Sequence, residues 1–207
     1  MKPLHLFLLL ILLPTTAFAR PVSYAGGWMA MTMNDGWTNS ATLLYSPTAN
    51  VALGPFLDHD RETDGELYGL QANYLFKRWN NKDSQGNIFL LSGLGAASID
   101  DDTDFGGYVG MEADWEDRKY YISYENRYTF AGDVKEAYQQ RARIGIAPYI
   151  SEYGGTHTWL MLQVDHMPED DDTFTLTPLV RVFKGAYLGE AGISNHGDIL
   201  FNFTVTY

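Results

Sequence analysis

From residue 26 to residue 207 apolar and polar residues alternate with a period of two, and no stretch of useful length carries a helical period. Such a pattern confines the chain to strands, whose side chains point alternately to opposite faces, whereas a helix repeats every 3.6 residues. Clusters of Asn, Asp and Gly punctuate the alternation and divide it into twelve candidate strands, at 26–33, 37–46, 49–57, 66–77, 87–98, 107–116, 119–130, 136–149, 157–167, 174–183, 186–194 and 199–207. Segments of about ten residues suit a tilted strand that crosses a bilayer.

The charged residues keep to one face. Glu112 and Asp114 share a face with Gly110, opposite Val109, Met111, Ala113 and Trp115. Glu125 and Arg127 align with Tyr121, Ser123 and Thr129, opposite Tyr120, Ile122, Tyr124, Asn126, Tyr128 and Phe130. Arg141 and Arg143 align with Gln139, Asp165 with Gln163, and Arg181 with Thr175 and Thr177, each opposite an aliphatic row. A soluble sandwich exposed on one side would show the same two faces, so the connections have to separate the two architectures.

Numbered along the chain, the odd connections carry a formal charge of −15 and the even ones +2. This sorting is expected of a tube with two different mouths and has no counterpart in a sandwich. Short turns on the periplasmic side and longer outer loops are the rule for such tubes, against which the fourth connection, NNKDSQGN, is long.

The first nineteen residues set the compartment. Lys2, the apolar run Leu6 to Leu13, Pro14, and the small residues Ala17 and Ala19 form a secretory signal pattern. We therefore expect a cleaved signal peptide over 1–19 and one domain over 20–207. The apolar run is too short to span a bilayer as a helix, which takes about 20 residues. Removing 1–19 takes only Lys2 from the 14 Lys and Arg, leaving 13 against 26 Asp and Glu, a formal net charge of −13. That sign opposes nucleic acid as a partner. The absence of cysteine excludes a disulfide-stapled module.

With a signal peptide, an even count of alternating strands, no cysteine and a last strand ending on an aromatic, the chain resembles the Gram-negative bacterial outer-membrane β-barrels. The resemblance covers 20–207 and concerns architecture. It implies an all-β, closed antiparallel up-and-down transmembrane barrel of about twelve strands, with ten as the alternative count, in contact with outer-membrane lipid and lipopolysaccharide. In ILFNFTVTY the row Phe201, Phe203, Val205 and Tyr207 looks like the membrane-insertion signal read by the barrel-assembly machinery. YENRYTFAGD (124–133), RIGIAPYI (143–150) and EAGISNHGD (190–198) look like signature stretches with no activity attached. Physics points the same way: hydrocarbon offers backbone groups no water, so a sheet must close.

Three sets of residues are candidates for chemistry. The inward Glu112, Asp114, Glu125, Arg127, Arg141, Arg143 and Arg181 are expected to form a lumen charge network, structural first, with a charged constriction as the functional alternative. Trp159, Leu179, Phe183 and Tyr121 would narrow that lumen. Asp100, Asp102, Asp104, Asp170 and Asp172 are candidate sites for divalent cations, which favour clustered oxygens; Phe105 and Met111 break the EF-hand pattern. No other cofactor is implied. Met29, Met31 and Met33 share a strand face, expected to be a lipid-facing strip; neighbours about 6.8 Å apart along a strand converge poorly on a soft metal.

His59, His157, His166 and His196 lack a serine two residues away on the same strand face, and Ser194 near His196 belongs to a turn. The function expected is non-enzymatic: a narrow pore or a structural surface component with acidic outer loops. Alternatives are metal-ion handling and, further off, a lipid-modifying barrel enzyme.

Overall fold

A computed structural model describes residues 20–99, 102–132, 135–152, 154–169 and 173–207. Twelve strands form: β1 (Trp28–Asn34), β2 (Thr38–Thr48), β3 (Val51–Asp60), β4 (Gly65–Asn80), β5 (Ser84–Ile99), β6 (Asp102–Asp117), β7 (Tyr120–Ala131), β8 (Lys135–Ile146), β9 (His157–His166), β10 (Phe174–Lys184), β11 (Tyr187–Ile193) and β12 (Ile199–Thr206). Each pairs antiparallel with its sequence neighbours, and β12 pairs with β1 from Met29↔Thr206 to Asn34↔Phe201. The sheet is therefore a closed up-and-down barrel without a free edge, and every candidate strand has its counterpart.

The outward face is apolar. Leu70, Leu94, Val109, Ile122, Ile144 and Leu160 are all exposed, Leu70 at 70 %. At the end where residues 20 and 207 lie, the terminal end, Trp28, Tyr45, Tyr74, Trp115, Tyr120 and Tyr187 stand outward in a girdle, with Tyr68 and Tyr128 towards the opposite mouth. An apolar band flanked by aromatic rows is the surface a bilayer requires.

Three expectations need correction. The first concerns strand length: β4, β5 and β6 are 16 residues each, so the connection NNKDSQGN shrinks to residues 81–83, closed by Asn81 N–H donating to Ser84 O at 2.9 Å. Its polar residues continue the ladder beyond the apolar band, where water accepts them.

The second concerns the odd connections. Asp58, Asp60, Glu66, Asp102, Asp104 and Glu136 belong to strands, so less of the −15 is loop-borne. The longest connection, residues 147–156, lies at the terminal end.

The third concerns the methionines, which point inward. Trp28, Ala30 and Thr32 take the outer face, and the register opposes Met29, Met31 and Met33 to the inward Thr206, Thr204 and Asn202. Met29 is 2 % exposed and packs with Leu44, Ala52, Leu75 and Phe89.

The interior is thus mixed: apolar clusters near the ends and a polar middle. A tight approach shapes one wall. Gly69 and Gly95 face each other between β4 and β5, and a Cβ on Gly95 would lie 1.9 Å from the Tyr68 carbonyl oxygen.

Candidate functional site: the lumen

The alternation that turns apolar residues to lipid turns the strand charges inward, and closure brings distant strands face to face. On the β8–β12 wall, Arg141 Nε donates to Asp165 at 2.6 Å, and Arg143 Nε to Gln163 at 2.7 Å. Gln163 in turn donates to Asp165 at 2.6 Å. Arg181 Nε donates to Glu190 at 2.6 Å, Arg143 reaches the same carboxylate at 3.4 Å, and Asn202 donates to it at 2.7 Å. Arg141–Asp165, Arg143–Gln163, Arg181–Glu190 and Glu190–Asn202 are cross-strand neighbours positioned by the register, whereas Gln163 and Asp165 are neighbours along β9 and Arg143 reaches Glu190 past β9 and β10.

Other contacts cross the lumen. Arg141 Nη2 also reaches Asp35, in the β1–β2 turn, at 2.7 Å. The other oxygen of Asp35 accepts the backbone N–H groups of Trp37 and Thr38 at 3.0 and 2.8 Å, so one side chain shapes the turn and ties it to β8. Arg127 of β7 pairs with Asp58 of β3, its guanidinium 3.7 Å from the Tyr108 ring centroid, and the Tyr108 hydroxyl donates to Gln71. Towards the terminal end, Asn87 donates to Asp114 at 2.8 Å and accepts Arg78 Nε at 2.7 Å.

Of the seven charges expected in the lumen network, all face inward. Among the described residues Glu125 forms no direct ion pair with Arg141 or Arg143. Glu125 stands opposite Arg141 in the register, but Arg141 turns to Asp165 and Asp35. Glu112 and Glu125 instead oppose each other across β6 and β7, and among the described residues neither forms a direct ion pair with an arginine. Asp35, Asp58 and Glu190, which complete the network, carry no motif; Asp165 and Glu190 were readable as inward wall charges, the cross-lumen partners were not.

Three cavities run end to end. A chamber of 550 Å³ opens at the terminal end, with Trp159, Phe183 and His157 on its wall. A central one of 160 Å³ is lined by Met31, Thr42, Glu125, Arg143 and Asn202 among others. A third of 90 Å³ lies towards the other mouth. Arg20, Glu112, Tyr121, Arg181 and Leu188 border both the first and the second, while Asp58 and Arg127 border the second and the third.

Asp102 and Asp104 lie on β6, and Asp104 accepts the Phe105 N–H at 2.6 Å. Asp100, Asp170 and Asp172 fall outside the described residues, as does the segment 1–19. Among the described residues no group of three or more His, Cys, Asp or Glu side chains converges as metal ligands. His166 Nδ1 contacts Gln140 at 2.9 Å and the ring stacks on Phe174, while His157 packs on Phe183. In the final strand Phe201, Phe203 and Tyr207 are exposed outward, and Val205 is covered, with Tyr187 opposite it stacked on Phe203.

No family model matches the sequence, and no curated protein sequence matches it. Solved structures do share its architecture. A KdgM porin aligns over 87 % of this chain and 98 % of its own, at 10 % identity and a TM-score of 0.50. A KdgM porin in complex with disordered oligogalacturonate aligns over the same shares, at 10 % identity and 0.49. The translocator domain of the autotransporter NalP from Neisseria meningitidis covers 87 % of each chain, at 12 % identity and 0.44. By fold, the chain is a closed antiparallel β-barrel of twelve strands, an architecture it shares with a solved porin.

Proposed function

We propose that this barrel is non-enzymatic, resides in the outer membrane with its terminal end towards the periplasm, and works as a narrow pore that prefers cations. The observation that carries the preference is the facing pair Glu112 and Glu125. Every inward arginine has an acceptor: Gln85 and Glu116 for Arg20, Asn87 for Arg78, Asp58 for Arg127, Asp165 and Asp35 for Arg141, Gln163 and Glu190 for Arg143, and Glu190 for Arg181. The positive charges of the lumen are thereby engaged, and the surplus is carboxylate.

Directly opposed cross-strand residues have Cβ atoms about 5 Å apart. If both are ionised, two carboxylates at that separation repel by roughly 3 kcal/mol at an effective dielectric near 20, a cost that a shared proton or a bound cation relieves. A cation passing between the terminal and central chambers relieves that repulsion, whereas an anion adds to it. Specificity of this kind is how charged rings select ions.

Reversal potentials across planar bilayers under a salt gradient test the reading. Wild type is expected to favour the cation, and Glu112→Gln/Glu125→Gln to lose that preference while still conducting. Anion preference in wild type refutes the selectivity, and absence of conductance refutes the pore.

The remaining features fit around this core as proposals. Residues 1–19 direct export and are removed, lipid and lipopolysaccharide surround the apolar band, and the assembly machinery reads the row Phe201, Phe203, Val205 and Tyr207. The acidic residues of the mouth, Asp102 and Asp104 among them, collect divalent cations. Calorimetry with magnesium on Asp102→Asn/Asp104→Asn is expected to show weakened binding, and unchanged binding removes that part.

A further inference from the structure

We propose that residues 20–23 are an internal plug, seated inside the lumen and separating its terminal chamber from the central one. The segment precedes β1 and turns into the barrel. Val22 is 3 % exposed and packs in the apolar cluster of Met29, Leu44, Ala52, Leu75 and Phe89. Asn73, on the inner face of β4, donates to the Pro21 carbonyl at 3.1 Å, and Ser23 N–H donates to Ser46 Oγ at 3.1 Å. Arg20 then reaches on to β5 and β6. Its guanidinium lies 2.5 Å from Glu116 and 3.7 Å from Asp114, and it also donates to Gln85. The segment is held by an apolar seat, two backbone bonds and an ion pair, on strands β1 to β6.

Its position gives it a role. Arg20 is on the wall of both the 550 Å³ and the 160 Å³ cavity, and Pro21 is on the wall of the central one. The other residues shared by the two cavities, Glu112, Tyr121, Arg181 and Leu188, belong to strands and are fixed by the ladder. Arg20 and Pro21 are the parts of this partition that a peptide hinge can move. Gly26, at φ 83°, and Gly27 lie between the segment and β1. Glu116 and Asp114 thus hold the chain's own guanidinium at the entrance to the facing pair Glu112 and Glu125. A solute cation entering from the terminal end competes with it.

The seat itself does not depend on the pore reading, but its part in passage does. The chain has no cysteine, so single cysteines report unambiguously. In the folded barrel a maleimide is expected to label Val22→Cys about a hundredfold more slowly than in the urea-unfolded chain, the protection of a site that opens only by local unfolding. Equal rates overturn the plug. Thr42→Cys lies on the central chamber wall. In the background Arg20→Gly/Pro21→Gly/Val22→Gly its labelling is expected to quicken about tenfold, equivalent to roughly 1.4 kcal/mol of lost closure. Equal rates overturn the barrier. Heat-modifiable gel mobility confirms folding, and if the triple variant does not fold, Arg20→Ala in the same two assays decides. These rates require no conductance, so a silent wild type would remove the pore while leaving the plug to be judged by its labelling.

Discussion

Arg141→Ala is the substitution whose consequence follows most directly from the lumen geometry. The Arg141 side chain is 9 % exposed and holds Asp165, whose side chain is 0 % exposed, together with Asp35 at 13 %. Truncation leaves Asp165 with Gln163 as its hydrogen-bond donor. Removing one partner of a buried ion pair costs about 3–5 kcal/mol, because the charge left behind is uncompensated. Asp165→Ala is milder, about 2 kcal/mol, since Arg141 keeps Asp35 as a charged acceptor. Asp35→Ala costs about 1 kcal/mol, mostly through the lost turn bonds to Trp37 and Thr38.

The order Arg141 > Asp165 > Asp35 is the content of the prediction. Urea titration of the barrel refolded in lipid vesicles, followed by heat-modifiable gel mobility, measures it. A double-mutant cycle on Arg141 and Asp165 should show coupling of at least about 1 kcal/mol. Arg141→Leu/Asp165→Leu should be more stable than Arg141→Ala alone, because two apolar side chains leave no unpaired charge between them. If Arg141→Ala lies within about 1 kcal/mol of wild type, the pair is not structural, and the assignment of the β8–β9 wall as a polar core falls.

Two further substitutions test other parts of the interior. Arg127→Ala removes the bridge to Asp58 that separates the 160 and 90 Å³ cavities, so single-channel conductance should rise; an unchanged value refutes its role as a constriction. Gly95→Ala puts a Cβ 1.9 Å from the Tyr68 carbonyl, which the β4–β5 ladder can relieve only by shifting, at about 1–3 kcal/mol in the urea titration. A neutral outcome there would mean the close approach is not needed for closure.

The architecture was legible because a period of two survives in every strand, and side-chain face follows from it directly. Strand ends were less so. Asn80 and Ser84 to Asn87 are polar and read as a connection, yet they extend β4 and β5, since a transmembrane strand that leaves the hydrocarbon loses its apolar mark and keeps its ladder. Hydrophobicity alone puts the β1 methionines on the lipid side, whereas Trp28, Ala30 and Thr32 take it. An interior with apolar ends accepts Met29 as readily as lipid would. Alternation gives the face of Arg127 and Arg141, but their partners Asp58 and Asp35 lie 69 and 106 residues away. Only closure of the sheet sets those distances.

These interior contacts bear on both stability and passage. Lipid chains are as apolar as the outward Leu, Ile and Val side chains, so burial against them supplies little preference for one closed arrangement over another. The ladder closes the sheet, and the inward polar contacts fix which groups meet inside it. Residues that bridge the lumen therefore carry a double role. Arg127→Ala should open the path and lower stability together, because the bridge to Asp58 joins β7 to β3 across the interior. Glu112→Gln should alter selectivity and leave stability unchanged or raised, because Glu112 faces Glu125 as a like charge in the register, and like charges directly opposite are destabilising. Measuring conductance and urea stability on both variants separates the two classes. If Glu112→Gln destabilises the barrel as Arg127→Ala does, the facing carboxylates are part of the scaffold, and the lumen has no surplus charge to offer a passing ion.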